Sequence, residues 1–194
     1  MNIITAHKYV SPRSRALTPE EVEVRRIAYG LKIPTAEACA TAARDLAPLL
    51  DAAEEPETHI VLMPVPASTG SIDANRHFAN ELAAEVHRRY PSRRVQVKVT
   101  VGRKHPVESS CVRRKRGLRG LPGLHADEHA MIRVAGPLTA TGTAYYFVDN
   151  MATTGATLAA CRSALGFGDG IVWADEGRPL RERRDNNQER KQRQ

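Results

Sequence analysis

Residues 145–157 read Tyr-Tyr-Phe-Val-Asp-Asn-Met-Ala-Thr-Thr-Gly-Ala-Thr, and this stretch decides the architecture. Tyr145, Tyr146, Phe147 and Val148 make a short continuous apolar run, as expected of a buried strand. Asp149 and Asn150 follow. Then comes a turn of small and hydroxyl-bearing residues, Ala152, Thr153, Thr154, Gly155, Ala156 and Thr157, and Leu158 to Leu165 has helical spacing. Strand, carboxylate, small-residue turn and helix, in that order, make a phosphate cradle. Backbone N–H groups at a helix N-terminus carry partial positive charge. Threonine hydroxyls add donors, and Gly155 permits close backbone approach. A carboxylate just before the turn is placed to hold the sugar that bears the phosphate. The competing reading is an ordinary strand-turn-helix with threonines capping the helix. The apolar strand and Asp149 in front of the turn favour the sugar-phosphate site.

Outward from this unit, strands and helices alternate. Upstream, His59–Met63 reads as a buried parallel strand and residues 64–70 as the loop at its carboxyl end. Ile72 to Arg89 reads as a helix with Phe78, Leu82 and Val86 on one face. Val95, Val97, Val99 and Val101 alternate with polar residues, which predicts one strand. Thr18, Pro19, Glu20 and Glu21 form a helix start, with that helix ending at Gly30. Thr35 caps a second helix whose apolar face is Cys39, Ala43, Leu46, Ala47 and Leu50. A short strand is expected within residues 1–10 and a last one at Ile171–Ala174. The fold class that follows is α/β, a mainly parallel twisted sheet flanked by helices on both faces. Ligands in such sheets bind beyond the carboxyl ends of the strands. Residues 64–70 and 149–157 both lie there, so the two loops open onto one edge.

The 194 residues suit one domain, taken as 1–176, with 1–35 as a hood or N-terminal extension and 177–194 as a disordered basic tail. The net charge is +7, and its placement matters more than its size. Residues 103–119 carry seven Lys/Arg against one Glu, and the tail carries seven against three acids. The basicity thus lives in a long loop, 102–128, and the tail, and it points to anionic partners: phosphates, nucleotides or nucleic acid. Cys39, Cys111 and Cys161 are scattered, which suggests neither a zinc site nor a disulfide framework. No apolar run reaches about 18 residues and no signal peptide is evident, so a cytoplasmic protein without a membrane partner is expected.

The run 145–157 resembles the phosphoribosyl pyrophosphate (PRPP) motif of the type I phosphoribosyltransferases: an apolar strand, two acids, a short linker and Thr-Thr-Gly-x-Thr. Here the second acid is Asn150. The likeness extends to the ComF-type (competence protein F) amidophosphoribosyltransferase-like proteins through Leu31-Lys32, Met63-Pro64-Val65-Pro66 and Arg76-His77-Phe78-Ala79-Asn80. That family's amino-terminal cysteine pairs are missing. The resemblance covers roughly residues 27–175. It implies a 5′-phosphate on the 152–157 turn, ribose hydroxyls on Asp149 and Asn150 as the catalytic pair, and a pyrophosphate loop at 64–69. Pro66, Ala67 and Ser68 would line that loop, which in the family often holds a non-proline cis peptide. Arg76, Arg103 and Lys104 would reach the pyrophosphate.

Two functions of different class follow. The first is a PRPP-dependent phosphoribosyltransferase acting on a nitrogenous acceptor, with Mg²⁺ carried by PRPP rather than by protein ligands alone. Asn150 would bind a ribose but support charge in the transition state less well than an acid. The second is a binding module of the same fold, reading PRPP or a nucleotide and touching nucleic acid through Arg113, Arg114, Lys115, Arg116 and the tail. A homodimer is left open. Trp173 reads as an acceptor-stacking residue or, more simply, as core. His105, His125 and His129 are spaced too irregularly for a metal site.

Overall fold

Five strands lie parallel in the order β1-β7-β6-β2-β3 in the computed structural model, which describes residues 1–11, 15–106, 131–134, 138, 141–153 and 155–176. The described elements run β1 (Ile3–Lys8), α1 (Pro19–Lys32), α2 (Ala36–Ala52), β2 (His59–Pro64), α3 (Asp73–Arg89), β3 (Val95–Val97), β4 (Val101–Arg103), β5 (Met131–Arg133), β6 (Thr143–Ala152), α4 (Ala156–Leu165) and β7 (Asp169–Asp175). The α/β class and the parallel sheet agree with the sequence reading. The long basic loop falls largely on residues 107–130 and the tail on 177–194, both outside the described residues.

Alternation along each strand divides the core in two. Ile60 and Leu62 of β2, Tyr146 and Val148 of β6, and Ile171 and Trp173 of β7 pack against α1, α2 and α3. Val61 and Met63, Phe147, and Val172 face the other way, against Leu158, Cys161 and Leu165 of α4 and Val101. The crossover through α3 carries the chain from β2 outward to β3, whereas the crossover through α4 carries it from β6 the other way to β7. The strand order reverses between β2 and β6, and in open parallel sheets ligands bind at such a switch point, beyond the carboxyl ends.

The helix starts follow their sequence signals. Thr18 and Glu21 form a reciprocal capping box at α1, and Thr35 caps α2 through the Ala38 N–H at 3.2 Å. Arg93, 6% exposed, closes the far end of α2. It donates to Asp51 Oδ1 at 2.5 Å, to the Asp51 carbonyl at 2.7 Å, to the Glu54 carbonyl at 2.6 Å, and to the Glu55 carbonyl. A cation here satisfies carbonyls that the helix leaves over.

Three expectations need correction. First, α1 does not stop at Gly30 but runs to Lys32. A Cβ at Gly30 would lie 2.7 Å from Ala38 Cβ, so this glycine admits α2 rather than ending a helix. Second, the valine alternation at 95–101 is not one strand. The chain leaves the main sheet after Val97, and Val101–Arg103 pairs antiparallel with Met131–Arg133 in a separate ribbon. Val101 there is buried on the α4 side. Third, β6 extends to Ala152 instead of ending at Val148.

Candidate functional site at the carboxyl edge

The extra length of β6 creates the site. Its pairing with β2 ends at Pro64↔Val148, where Val65 N–H still donates to the Val148 carbonyl at 3.0 Å. On the other side β7 keeps pairing as far as Ala152↔Asp175. Residues 149–152 therefore project past β2, with Asp149 the first of them.

Three segments converge on Asp149. Its Oδ1 accepts the Asn150 backbone N–H at 2.8 Å and Asn75 Nδ2 at 3.2 Å. Asn75, buried in the first turn of α3, also donates to the Val65 carbonyl at 2.8 Å and so fixes the β2 loop against the acid. Arg103, at the end of β4, donates through Nε to the Ala67 carbonyl at 2.6 Å and stands within electrostatic reach of Asp149. Burial pushes the Asp149 carboxyl up to about 6. The Asn150 and Asn75 hydrogen bonds and the charges of Lys32 and Arg103 pull the other way without reversing that. One edge of the residue still meets solvent. Burial also lowers the Arg103 pKa from its ordinary value, opposed by the field of Asp149.

Asn150 is not presented beside Asp149. Alternation sends it to the opposite face, where it is 7% exposed and its Nδ2 donates to the Ala28 carbonyl of α1 at 3.0 Å. Its amide ties α1 to the sheet, so the expected pair resolves into one acid at the carboxyl edge and one tether behind it. Ala152 is likewise not a turn residue. It is 4% exposed, pairs with Asp175, and its carbonyl accepts the Glu176 N–H at 3.1 Å.

The hydroxyl turn narrows to 153–157. Thr153 and Thr157 are partly exposed, and Thr154 lies outside the described residues. Gly155 is the N-cap of α4 in the left-handed conformation, φ +67°, a backbone geometry that glycine adopts without steric cost. The first turn of α4 opens at the same edge, with Thr157 and Leu158 N–H groups at its electropositive end.

The β2 loop is a closed turn. Ala67 N–H donates to the Ser71 carbonyl at 2.8 Å and Gly70 N–H to the Ala67 carbonyl at 3.0 Å. Pro66 is buried, Ala67 exposed and Ser68 partly exposed; no peptide bond among the described residues is cis. Arg76 is not gathered in. Its side chain is half exposed and pairs with Asp73 of its own helix at 3.2 Å. Lys104 is exposed beyond Arg103. Trp173 is core: 2% exposed, with Nε1 donating to the Val24 carbonyl at 2.9 Å.

Two contributors escaped the sequence reading. Asn75 sits one residue before the singled-out Arg76, and a helix turns about 100° per residue, enough to aim one inward and the other at water. Lys32 was noted only as part of a dipeptide. Cys161 lies fully buried beneath the site, its thiol pushed up to about 12 by burial, which removes it as a nucleophile. Among the described residues no helix is long and apolar enough to cross a membrane, and no cluster of three metal-ligating side chains occurs. No protein-family model, curated protein or solved structure matches the chain.

Proposed function

We propose that the carboxyl edge binds PRPP and transfers its 5-phosphoribosyl group to a nitrogenous acceptor. The observation that carries this reading is the desolvated carboxylate of Asp149, between a polar turn that leads into the N-terminus of α4 and a loop braced by Arg103. The 5′-phosphate lies on Thr153–Thr157 and receives N–H groups from the first turn of α4. Asp149 accepts the ribose hydroxyls, held in place by Asn75. Pyrophosphate lies along Pro66–Ser68 beside Arg103, with Lys104 further out. Arg76 and Ala152 take no part, and Asn150 positions α1.

The acceptor nitrogen directs its lone pair at the anomeric carbon. The new N–C bond forms as the C–O bond to pyrophosphate breaks, and the electron pair of that bond leaves on pyrophosphate. A proton carried by the acceptor nitrogen passes to solvent. Positive charge grows on the ribose, where the negative charge of Asp149 stabilises it. Arg103 offsets negative charge on the leaving group. Mg²⁺ needs only one or two carboxylates beside the phosphates of its ligand. Asp149 fits that need for an ion bound through PRPP, which would neutralise the departing pyrophosphate.

The test is thermal stabilisation of the full chain by PRPP with Mg²⁺. A ligand at a hundred times its dissociation constant stabilises by about 2.7 kcal/mol. The expected result is a clear rise in Tm that Asp149→Ala abolishes. Absence of any shift with PRPP or other ribose 5-phosphates would sink the reading.

A second reading, a nucleotide-sensing module that touches nucleic acid, is favoured by where the basic segments attach. Residue 104 follows Arg103 at the site, and residue 177 follows Glu176, whose N–H bonds Ala152. Both charged stretches thus start at the carboxyl edge. Salt-sensitive DNA binding that vanishes on removal of 178–194, with no pyrophosphate release, would favour this reading.

A further inference from the structure

The buried face of α3 reads Asn75, Phe78, Ala79, Leu82 and Val86, so an amide heads an otherwise apolar stripe. At 8% exposure an amide is costly to bury unless its N–H groups are used. Here Nδ2 donates to the Val65 carbonyl at 2.8 Å and to Asp149 Oδ1 at 3.2 Å. Both partners are acceptors, so the atom that faces them is the nitrogen. These bonds close a ring. Val65 N–H donates to the Val148 carbonyl at 3.0 Å, and Val148 precedes Asp149 in the chain. The pairing of β2 with β6 ends at Pro64↔Val148, and the Asn75 side chain bridges the two segments just beyond it.

The consequence falls on the carboxylate. Oδ1 also accepts the Asn150 N–H at 2.8 Å, so both of its lone pairs are taken. Oδ2 accepts no hydrogen bond among the described residues. It is the oxygen left for a ligand, and the one that takes the proton when the acid is neutral. Lys32 of α1, Arg103 of β4 and the Cys161 thiol of α4 also lie within electrostatic reach of Asp149. The two cations act on the carboxylate as a whole and the thiol stays neutral, whereas the two N–H donors distinguish one oxygen from the other. A lysine or arginine in place of Asn75 would neutralise the carboxylate, and an acid would repel it. An amide orients it and leaves its charge for the ligand.

We propose that Asn75 is the positioning residue of the carboxyl edge: it fills Oδ1 of Asp149, presents Oδ2 to a ribose hydroxyl, and makes the β2 loop and the acid respond together when either is occupied. The ligand in this assignment rests on the PRPP reading of the same edge; the hydrogen-bond ring does not.

The experiment uses the full chain, wild type and Asn75→Leu, which keeps the volume and removes both donors. The carboxyl carbon of Asp149, identified by its absence in Asp149→Asn, is followed by NMR against pH. Asn75 stabilises the ionised form, so its loss is expected to raise the titration midpoint by about one pH unit. Apparent affinity for PRPP with Mg²⁺ then falls about fivefold near pH 6 and much less at pH 8, where the charge is restored. An unmoved midpoint, or a loss of affinity equal at every pH, overturns the proposal, because a residue that only supports the fold would act that way. Where Asn75→Leu does not fold, wild type decides through the Asn75 side-chain amide signals. They are expected to titrate with the Asp149 midpoint and to shift when inorganic pyrophosphate with Mg²⁺ is added. Signals that stay flat through the titration overturn the proposal, as do signals unmoved by pyrophosphate that calorimetry shows to be bound. If PRPP gives wild type no stabilisation, the functional reading has failed, and the carboxyl and amide titrations still decide whether Asn75 orients Asp149.

Discussion

The two ends of the sheet differ in a way that volume alone would misjudge. The amino end has the roomier hollow, about 450 Å³, lined among others by Glu54, Tyr145, Tyr146, Arg162, Phe167 and Asp169. Its polar groups bond to one another. Tyr146 donates to Glu54, Tyr145 to the Leu138 carbonyl, and Arg162 to Asp169 at 3.2 Å. Nearby, Arg93 binds Asp51 and the end of α2. The carboxyl end brings together Asp149, Arg103 and Lys32, with Asp149 held by the Asn150 and Asn75 hydrogen bonds and lying in the field of both cations. Space measures what fits; chemistry needs groups still able to bind something. On the proposed function, the amino end works as a fastening and the carboxyl end as the site.

The strongest way to break that contrast is at Arg93. Removing a buried guanidinium that satisfies Asp51 and three carbonyls is expected to cost about 3–5 kcal/mol, read as a fall in the urea midpoint. The PRPP-induced shift, measured where the variant is folded, should remain. A cost below about 1 kcal/mol would remove the structural role assigned to the amino end.

Asp149 supplies the next test, through pH. Its folded pKa of about 6 lies above its ordinary 3.8, so the folded chain binds that proton more tightly than the unfolded chain does. The stabilising contribution is fully present below about pH 4 and is lost as pH rises through about 6. Asp149→Asn stays neutral throughout. The ligand-free variant should therefore exceed wild type in stability above pH 6, by on the order of 1–3 kcal/mol, while losing PRPP. The two stability curves should converge towards pH 4. A variant less stable than wild type at pH 8 would mean that Asp149 is held for the fold and not against it.

Much of this arrangement could be read from the chain because strands and helices follow local patterns. The Tyr145–Val148 run, the Thr18 and Thr35 caps and the alternating valines all announce themselves within a few residues. The errors came where tertiary packing set the answer. Gly30 looks like a helix end, but Ala38, from the next helix, makes it a point of close approach. Val95–Val101 satisfies the strand pattern in two different sheets. Nothing local distinguishes Asn75 from Arg76, or tells that Asn150 faces Ala28; strand parity does so only once the length of β6 is known. A smaller effect probes that point. Asn150→Ala should cost about 1 kcal/mol, because the Ala28 carbonyl loses one of its donors, and should leave the PRPP shift nearly intact. Loss of the shift as complete as in Asp149→Ala would return Asn150 to the site.

The smallest expected effect closes the comparison from the amino end. Arg162 and Asp169 are each more than a third exposed, so their ion pair contributes little: Arg162→Ala should cost about 0.5 kcal/mol. The substitution opens the larger hollow further and removes the one arginine among the described residues that line it. If the hollow bound the sugar phosphate, this change would abolish the PRPP shift, whereas Asp149→Ala would leave it standing. If the carboxyl edge is the site, Arg162→Ala keeps the shift within error and Asp149→Ala loses it. The pair of measurements therefore separates a fastening from a site even though the fastening has the larger cavity.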